Sequence, residues 1–338
     1  MAIKSSKPDI ERTVSPRQQE DEIISEISLR PRRLDEYVWQ AQMKEHLSVA
    51  IQSAKIRNKP LEHILFYWPP GLGKTTISTI IAHEMGSAIK STSGPAIEKQ
   101  SDIISILTSL TEGEILFIDE IHRLRPQIEE ILYSAMEDYQ IDIMIGSGTG
   151  ATSVKMDIPA FTLIGATTRL SNLSNPLRDR FGNVMKLDFY ETIDLARIIK
   201  RSFSLLGLST LSDAAILSVA ERSRWTPRIA NRYVKILRDY ATVGKPIENK
   251  DECEAIFEGF GVDSYGLDIL DRKLMMHLME SFHGRPVGLS TLASVVGEEV
   301  ATIEDVVEPY LLQIGFIERT PRGRQITMKW EEYMRKTE

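Results

Sequence analysis

One segment of nine residues constrains the fold of this chain more than any other. Residues 68–76 read Trp-Pro-Pro-Gly-Leu-Gly-Lys-Thr-Thr, which is the P-loop pattern G-x-x-x-x-G-K-[ST] with Trp68 in place of its first glycine. The apolar run 63–67 before it predicts a buried strand, and the stretch 76–85 after it predicts an amphipathic helix. The segment therefore predicts a strand, a phosphate-binding loop and a helix in that order.

The residue types of the loop suit a nucleoside triphosphate. Gly71 and Gly73 let the backbone curl so that its N–H groups face phosphates, at a helix N-terminus that favours anions. Lys74 would place its charge on the β- and γ-phosphates, and the hydroxyl of Thr75 would bind Mg²⁺. Thr76 continues the loop into the helix. ATP and Mg²⁺ are the predicted ligands.

A second motif follows the P-loop. Residues 114–120 read Glu-Ile-Leu-Phe-Ile-Asp-Glu, an apolar run that ends in two acids. A parallel strand buried on both faces has this composition. At its carboxyl end, Asp119 would hold Mg²⁺ and Glu120 would polarise the water that attacks the γ-phosphate.

Composition limits the class of protein. The chain has 338 residues, 42% hydrophobic and 26% charged, which is ordinary for globular proteins and sufficient for two or three domains. Cys253 is the only cysteine, so neither an intramolecular disulfide nor a cysteine-based zinc site can form. We expect a soluble cytoplasmic protein, because no apolar run reaches membrane-spanning length. The net charge of −7 means that any nucleic-acid surface must be a local patch.

The alternation of patterns divides the chain into four parts. Residues 1–25 are polar and without periodicity, which predicts a disordered tail. Strands and helices alternate over 26–184, which predicts an α/β domain with a parallel sheet, interrupted by a β-hairpin at about 141–158. Residues 185–260 read as a small helical domain. Residues 261–333 read as three helices and a two-stranded hairpin, which is a winged helix.

The predicted wing carries positive charge. We expect its strands at 315–318 and 325–328, around a loop that contains Arg319, Arg322 and Arg324. No acid lies between residue 319 and Lys329. A lone basic cluster is more often a solvated loop, but at the tip of a winged helix it favours contacts to DNA phosphates with little sequence preference.

These residues carry a family resemblance. The chain resembles the AAA+ ATPases and, over about 28–330, it closely resembles the RuvB family. Besides the P-loop, the matching stretches are 29–31, 92–95, 117–124, 135–139, 142–146, 163–169, 176–182, 226–232, 303–306 and 319–324. The hairpin and the winged helix separate this family from other AAA+ branches.

The resemblance implies a function and partners. It implies an ATP-hydrolysing, helicase-like motor that drives branch migration of Holliday junctions in DNA recombination, DNA repair and the SOS response to DNA damage. It also implies a homohexameric ring on duplex DNA, a junction-binding RuvA partner docked on the hairpin, and a RuvC-type resolvase in the wider complex. The fold implied is an AAA+ P-loop sheet domain, a small helical lid and a winged helix.

The resemblance also assigns roles to residues outside the two motifs. Thr168 is similar to the sensor that holds the attacking water. Arg180 is similar to the arginine finger that reaches the γ-phosphate of a neighbouring subunit, with Arg178 as the second candidate. Arg228 is similar to the second sensor, which reads the phosphates from the lid. The resemblance implies that Leu29 and Arg30 line the adenine pocket, with Tyr139 and Tyr190 nearby. It also implies that Glu137 and Asp138 contact the nucleotide.

Five positions depart from the family pattern. Trp39, Trp68, Trp225 and Arg285 stand where the family has glycine, and Val300 stands where it has an arginine beside the recognition helix. Either the three tryptophans are real and the chain is an impaired or repurposed ATPase, or a codon read as glycine in the source has been rendered as tryptophan. We favour the second explanation, because UGA takes either meaning in variant codes and Lys74, the acids and Arg180 are all spared.

Two other functions remain open at this stage. A hydrolysis-impaired assembly protein would use the winged helix only to bind DNA. A clamp-loader-like AAA+ ATPase would share the nucleotide site, but the hairpin and the basic wing disfavour it.

Overall fold

A computed structural model describes residues 29–38, 40–67, 71–145, 152–208 and 211–337 of the chain. The predicted tail at 1–25, Trp39, Trp68 and the tip of the β-hairpin at 146–151 lie outside these residues. The predicted fold class is confirmed, since a parallel sheet domain, a group of helices and a winged helix follow one another along the chain.

A five-stranded parallel sheet forms the centre of the first domain. Its strands lie in the order β2-β3-β6-β1-β7, and each neighbouring pair is parallel. All strands therefore end at the same edge, where the P-loop follows β1 and Asp119 ends β3. The strands are β1 (Ile64–Tyr67), β2 (Ile89–Ser93), β3 (Ile115–Asp119), β6 (Thr162–Thr167) and β7 (Asn183–Lys186).

Helices cover both faces of this sheet and create two separate cores. On one face Ile64 and Phe66 pack with side chains of α1 and α2. On the other face Leu65, Leu116 and Leu163 pack with α3 and α4. Because both faces are buried at the centre of the sheet, β1, β3 and β6 are largely apolar rather than alternating, whereas the edge strands β2 and β7 carry polar and partly exposed residues. The helices are α1 (Ala41–Arg57), α2 (Lys74–Met85), α3 (Gln100–Thr108), α4 (Pro126–Glu137) and α5 (Asn175–Asp179).

The predicted β-hairpin forms an antiparallel pair outside the main sheet. It consists of β4 (Gln140–Ile145) and β5 (Thr152–Asp157). Its base is anchored by Ile141, which is fully buried, whereas Val154 is 44% exposed. The apolar side chains thus divide between an anchor and an outward surface.

Four helices after the sheet form the lid. They share a core with one face of the sheet domain, since Val234 and Leu237 belong to the same buried cluster as Phe66. The lid is therefore packed against the nucleotide-binding domain. Its helices are α6 (Thr192–Leu205), α7 (Asp213–Arg222), α8 (Pro227–Thr242) and α9 (Lys250–Gly259).

The winged helix has a core of its own, built around Trp330, Phe316 and Leu311. Its first and third helices each continue through a π-helical turn. Its elements are α10 (Ile269–Met276, continued by His277–Ser281), α11 (Leu289–Val296), α12 (Val300–Thr302, continued by Ile303–Val307), α13 (Glu308–Gln313), β8 (Ile317–Thr320), β9 (Gly323–Ile326) and α14 (Met328–Thr337).

The wing differs from its predicted form. Its strands are 317–320 and 323–326 rather than 315–318 and 325–328, so the turn is two residues long instead of six. Arg319 and Arg324 face each other in register on the two strands. The backbone of Arg324 also exchanges two hydrogen bonds of 2.8 Å with Val287. These extra backbone bonds extend the sheet into a segment whose arginines and Gly323 predict a loop. Helix α14 was also not predicted.

Among the described residues, no helix has the length and apolar character needed to cross a membrane.

Candidate nucleotide site and nucleic-acid interface

The carboxyl edge of the sheet and the lid enclose a cavity of about 300 Å³. The P-loop contributes from the end of β1, the two acids from the end of β3, and the lid from the start of α8. The cavity is lined by Arg30, Gly71, Gly73, Lys74, Thr75, Thr76, Asp119, Glu120, Pro227, Arg228 and Asn231. Nine of these eleven residues are ones that the sequence had singled out.

The P-loop presents its phosphate-binding groups through backbone shape. Gly71 and Gly73 have φ values of 89° and 94°, which only glycine adopts without strain, and Gly73 is the N-cap of α2. Lys74 is the first residue of that helix and is 7% exposed. Burial lowers the pKa of Lys74, while the nearby Asp119 and Glu120 oppose this shift. A buried ammonium at a helix N-terminus is an arrangement that favours an anionic ligand.

Glu120 is held in an uncommon conformation at the end of β3. Its φ of 50° lies in the left-handed region, which for residues other than glycine is strained and is concentrated at functional sites. The Thr168 hydroxyl donates to the Glu120 carboxylate at 3.2 Å. His122 Nδ1 lies 3.4 Å from the same carboxylate and 2.9 Å from the Thr167 hydroxyl. Two side chains therefore fix the direction of the Glu120 carboxylate.

His122 is a residue to which sequence reasoning gave no role. Burial lowers the pKa of His122, with the Glu120 carboxylate acting in the opposite direction. The imidazole is therefore neutral near pH 7 and can exchange hydrogen bonds with its neighbours without adding charge. The feature of the sequence that could have identified His122 is its position two residues after the Asp119–Glu120 pair.

The lid closes the cavity by direct contact with the P-loop. The backbone N–H of Arg228 donates to the carbonyl of Gly71 at 3.4 Å. A Cβ atom at Gly71 would meet the Cβ atoms of Arg228 and Thr226 at 3.5 and 3.6 Å. Pro227 and Asn231, which sequence reasoning did not single out, line the cavity from the same helix. The start of α8 is thus positioned to respond to whatever the P-loop binds.

Leu29 and Tyr190 are not among the residues that line the cavity. Both are 2% exposed, and the Tyr190 hydroxyl interacts with that of Tyr37. Arg201, a lid residue that sequence reasoning missed, donates to the carbonyl of Leu29 at 2.7 Å and to Glu36 at 3.1 Å. The segment that precedes α1 is therefore tied to the lid.

Tyr139 does not lie beside the adenine pocket, contrary to the expectation from the sequence. Helix α4 runs from the carboxyl edge back to the amino edge of the sheet, where the Met136 carbonyl lies 3.1 Å from His63 Nε2. Tyr139 packs there against Phe161, at a centroid distance of 6.1 Å. Within one chain it is thus separated from Tyr190 by the length of the strands.

Arg180 lies at this same amino edge, away from the cavity. It pairs with Glu137 at 2.6 Å, and the two side chains are 40% and 54% exposed. Arg180 and Tyr139 line a second cavity of about 580 Å³. Asp138 is exposed beside them. The structure therefore separates the predicted site residues into two groups on opposite edges of the sheet.

Trp225 occupies a backbone position suited to glycine. Its φ is 55°, and Arg224 before it also has a positive φ of 48°. The indole packs against Phe189 and Tyr310, at centroid distances of 5.9 and 5.3 Å. The left-handed backbone is costly for a bulky residue, so the structure gives a physical reason why a glycine would fit here.

In the winged helix a buried carboxylate organises the wing. Glu308 is 1% exposed, and its Oε1 accepts from Arg319 Nε and Arg324 Nε, each at 2.8 Å. Burial alone would raise the pKa of Glu308, but the hydrogen bonds from the two arginines bring it below its ordinary value. The Arg319 side chain remains 55% exposed, and Arg322 is exposed at the turn. The wing therefore presents guanidinium groups, and the buried Glu308 carboxylate fixes the orientation of two of them, those of Arg319 and Arg324.

Three family models match nearly all of the described residues. Residues 29–187 match the family described as the Holliday junction DNA helicase RuvB P-loop domain. Residues 190–263 match the RuvB AAA lid domain, and residues 264–335 match the RuvB C-terminal winged helix domain.

Solved structures of RuvB from Thermotoga maritima are similar to this chain. The structure described as the Holliday junction branch migration motor is 48% identical, with a TM-score of 0.82, and the match covers 91% of this chain and 98% of that one. A variant of it with one alanine-to-serine substitution is 49% identical, with a TM-score of 0.83 and the same coverage.

Proposed function

The chain belongs to the RuvB family, and we propose that it is an ATP-driven DNA translocase that promotes branch migration of Holliday junctions in recombination and repair. One observation carries the proposal. A single chain joins a P-loop cavity, a lid that contacts the P-loop through Arg228, and a winged helix whose arginines are oriented by Glu308. A nucleotide site, a moving part and a DNA-phosphate surface are what a DNA motor requires.

ATP is the proposed substrate of the cavity. Lys74 and the backbone N–H groups of the P-loop would bind the β- and γ-phosphates, and Arg228 would contact them from the lid. Arg30 lies on the same wall and adds a third positive charge. Three cations on one cavity suit the charge of a triphosphate.

The donor set also fits Mg²⁺. A hydroxyl from Thr75 and a carboxylate from Asp119 line the cavity beside the phosphate-binding groups, and Mg²⁺ prefers hard oxygen donors and substrate phosphates to an all-protein cage. When bound, the ion would neutralise charge that develops on the phosphates. Thr75 and Asp119 would hold it in place.

Hydrolysis needs an oriented water, and Glu120 is the proposed general base. The hydrogen bond from Thr168 and the contact with His122 aim its carboxylate, so little rearrangement is needed when the water is polarised. Thr168 would also hold the water, as its position at the end of β6 permits.

Arg180 is proposed to act on the neighbouring subunit. It lies at the amino edge of the sheet and cannot serve the cavity of its own chain, which supports a ring in which each edge faces the next cavity. We propose a homohexamer, with Glu137, Asp138 and Tyr139 on the same face as the finger. Stabilisation of transition-state charge by an arginine supplied in trans is worth several orders of magnitude in rate.

The wing and the β-hairpin are the proposed contacts to partners. Arg319, Arg322 and Arg324 would contact DNA phosphates, which suits a motor that moves through arbitrary sequence. The β4–β5 hairpin, with Val154 exposed, is the proposed docking site of a RuvA-type junction-binding protein. A RuvC-type resolvase would join the wider complex.

A junction-migration assay tests the proposal. The protein, a RuvA-type partner and a synthetic four-way junction are mixed with ATP, and conversion of the junction into two duplexes is followed. We expect conversion that requires both ATP hydrolysis and the partner. Conversion at equal rate with a non-hydrolysable ATP analogue, or ATP turnover with no conversion at all, would refute the motor function.

A further inference from the structure

The loop between α7 and α8 contacts three parts of the molecule at once. At one end, Thr226 and Arg228 touch the P-loop at Gly71. In the middle, the Trp225 carbonyl accepts a hydrogen bond of 3.1 Å from the backbone of Tyr190. At the other end, Arg224 points into the winged helix. These contacts place the five residues 224–228, the end of the loop and the first two residues of α8, between the nucleotide cavity and the DNA-binding domain.

The contacts of Arg224 are buried and numerous. Its Nε donates to the carbonyl of Gly266 at 2.7 Å, and its Nη2 pairs with Asp271 and, at 3.2 Å, with Asp268. The guanidinium also lies 5.1 Å from the ring centroid of Tyr310. Its side chain is 10% exposed, and that of Asp271 is fully buried. The planar guanidinium uses its fork of donors here in a way that an ammonium could not reproduce.

The segment that joins lid and winged helix is also closely packed. Gly266 has a φ of 73°, and a Cβ atom there would overlap the carbonyl oxygen of Arg222. The connecting segment therefore packs closely against the end of α7 and is not a flexible linker.

A second contact holds the winged helix to the sheet domain, and it is of a different kind. Arg169 pairs with Glu304 at 3.2 Å and with Asp305 at 2.6 Å, but all three side chains are at least 39% exposed. Exposed ion pairs are screened by water and break easily, whereas a buried pair whose partner is removed leaves a stranded charge. The two attachments of the winged helix therefore differ in strength.

We propose that Arg224 is a positioning residue of the motor, which fixes the winged helix to the lid so that both move as one body when the cavity changes its nucleotide. The Arg169 contact with Glu304 and Asp305 opens and closes as this body moves against the sheet domain. This inference rests on the proposed function, because it assigns the path by which hydrolysis displaces DNA.

The test compares three quantities in Arg224→Ala, Arg224→Lys and the double variant Arg224→Ala with Asp271→Asn. These are basal ATP turnover, DNA affinity at fixed salt, and junction migration. We expect migration to fall about tenfold or more, since small misplacements of working groups have such costs, while turnover and DNA affinity stay close to those of the parent. Arg224→Lys should recover part of the loss. Arg238→Ala, which removes an ion pair between a partly exposed arginine and the exposed Asp239 elsewhere on the lid, is the matched control.

The double variant separates coupling from folding. Asp271→Asn removes the carboxylate that Arg224→Ala would leave buried without its partner, so the double variant should regain thermal stability. We expect migration to stay low in it. Recovery of migration together with stability would mean that Arg224 serves only to neutralise Asp271, and migration equal to the parent in Arg224→Ala would overturn the proposal directly.

A distance measurement keeps the inference independent of activity. Spin labels at Lys245→Cys in the lid and Glu298→Cys in the winged helix report the relative placement of the two domains, since both sites are exposed. We expect one narrow distance distribution in the parent, with and without nucleotide, and a broad one in Arg224→Ala. A broad distribution in the parent, or loss of migration in Arg224→Ala with a distribution as narrow as that of the parent, would overturn the single-body inference. A parent with a narrow distribution that turns over ATP but moves no junction would instead contradict the proposed motor function.

Discussion

The nucleotide cavity and the wing both collect positive charge for phosphate, but they do so by different means. In the cavity, the shape of the P-loop backbone directs its N–H groups toward the phosphate position, and Lys74 is buried at a helix N-terminus. In the wing, long arginine side chains surround the buried carboxylate of Glu308. A small ligand that must be held in one geometry is thus bound by rigid backbone. A long and variable polyanion is contacted by side chains, of which Arg319 and Arg322 stay exposed to water while Arg324 is mostly buried.

The cavity should therefore depend on single groups. We expect Lys74→Ala to lower ATP turnover by about 10²–10³-fold, because a preorganised donor to developing charge contributes this much. The measurement is steady-state phosphate release, with the exposed Lys245→Ala as control. A loss of less than about threefold would show that Arg30 and Arg228 can replace the buried lysine, so that the cavity would not depend on single groups.

The wing should depend on its organiser. Glu308→Gln keeps the shape of the side chain but removes its charge, and we expect local stability of the β8–β9 hairpin to fall by about 3 kcal/mol, the range of a broken buried ion pair. Hydrogen exchange of the hairpin amides measures this. Exposed Glu318→Gln on the same hairpin is the control and should change little.

The pH dependence of the same site follows from its pKa. The pKa of Glu308 in the fold lies below its ordinary value of 4.5. The stabilisation is therefore complete above about pH 4.5 and is lost as the pH falls through the lower, folded value. Exchange protection of the hairpin should decline in that acidic range in the parent and be nearly flat in Glu308→Gln. An identical decline in both proteins would assign the acid sensitivity to other carboxylates.

The DNA affinity of Glu308→Gln distinguishes two roles of Glu308, orienting the wing arginines or only neutralising their charge. If it orients the arginines, Glu308→Gln weakens DNA binding in spite of the gain of one positive charge. Tighter binding would mean that the carboxylate only neutralises them.

The two regions also differ in how far the sequence could predict them. Lys74, Thr75, Asp119 and Glu120 lie in two short motifs at strand ends, and a parallel sheet necessarily brings such ends to one edge. The cavity was therefore predictable, with Pro227 and Asn231 missed because they lack a local signal.

The wing was predictable only in kind. Its arginines predict a basic surface. Their pairing with Glu308 could not be predicted, because Glu308 lies 11 residues before Arg319 and 16 before Arg324 and no local sequence pattern connects it to either. The strand limits were wrong for the same reason, since pairing of Arg324 with Val287 overrides the loop character of the segment. The predicted position of Tyr139 was wrong because it depends on the length and direction of α4, which carries Tyr139 to the opposite edge of the sheet. Both are set by the tertiary structure and have no local sequence signal.

Glycine at position 68 should raise the activity of the cavity. In the sequence as written, Trp68 stands at the start of the P-loop, where an indole in place of glycine would cost about 1–3 kcal/mol through strain or overpacking. We expect Trp68→Gly to increase ATP turnover about tenfold, with phosphate release as the measurement and Trp330→Phe, in the winged-helix core, as the control. Equal turnover in both proteins would show that the loop tolerates the indole.

Native protein provides a second test of the same point. If glycine is the natural residue, peptides that span positions 39, 68 and 225 will have the mass of glycine, and their codons will be UGA while codon 330 is UGG. The positive φ of Trp225 agrees with glycine at that position. Ordinary UGG codons at all four positions would make all four tryptophans real, three of them at positions where the family has glycine, and would favour the impaired ATPase.

The smallest effect belongs to the tip of the wing. Arg322 lies at the turn, exposed and apart from the buried carboxylate that holds its two neighbours. We expect Arg322→Ala to weaken duplex binding to the same degree for every sequence, and to reduce the slope of log affinity against log salt by about 1, because one phosphate contact is lost. Fluorescence anisotropy over a salt series measures both. Arg335→Ala, an exposed arginine of α14 outside the wing, should leave the slope unchanged. A slope unchanged in Arg322→Ala would confine DNA contact to the residues that Glu308 orients, so that no part of the wing would work without its buried organiser.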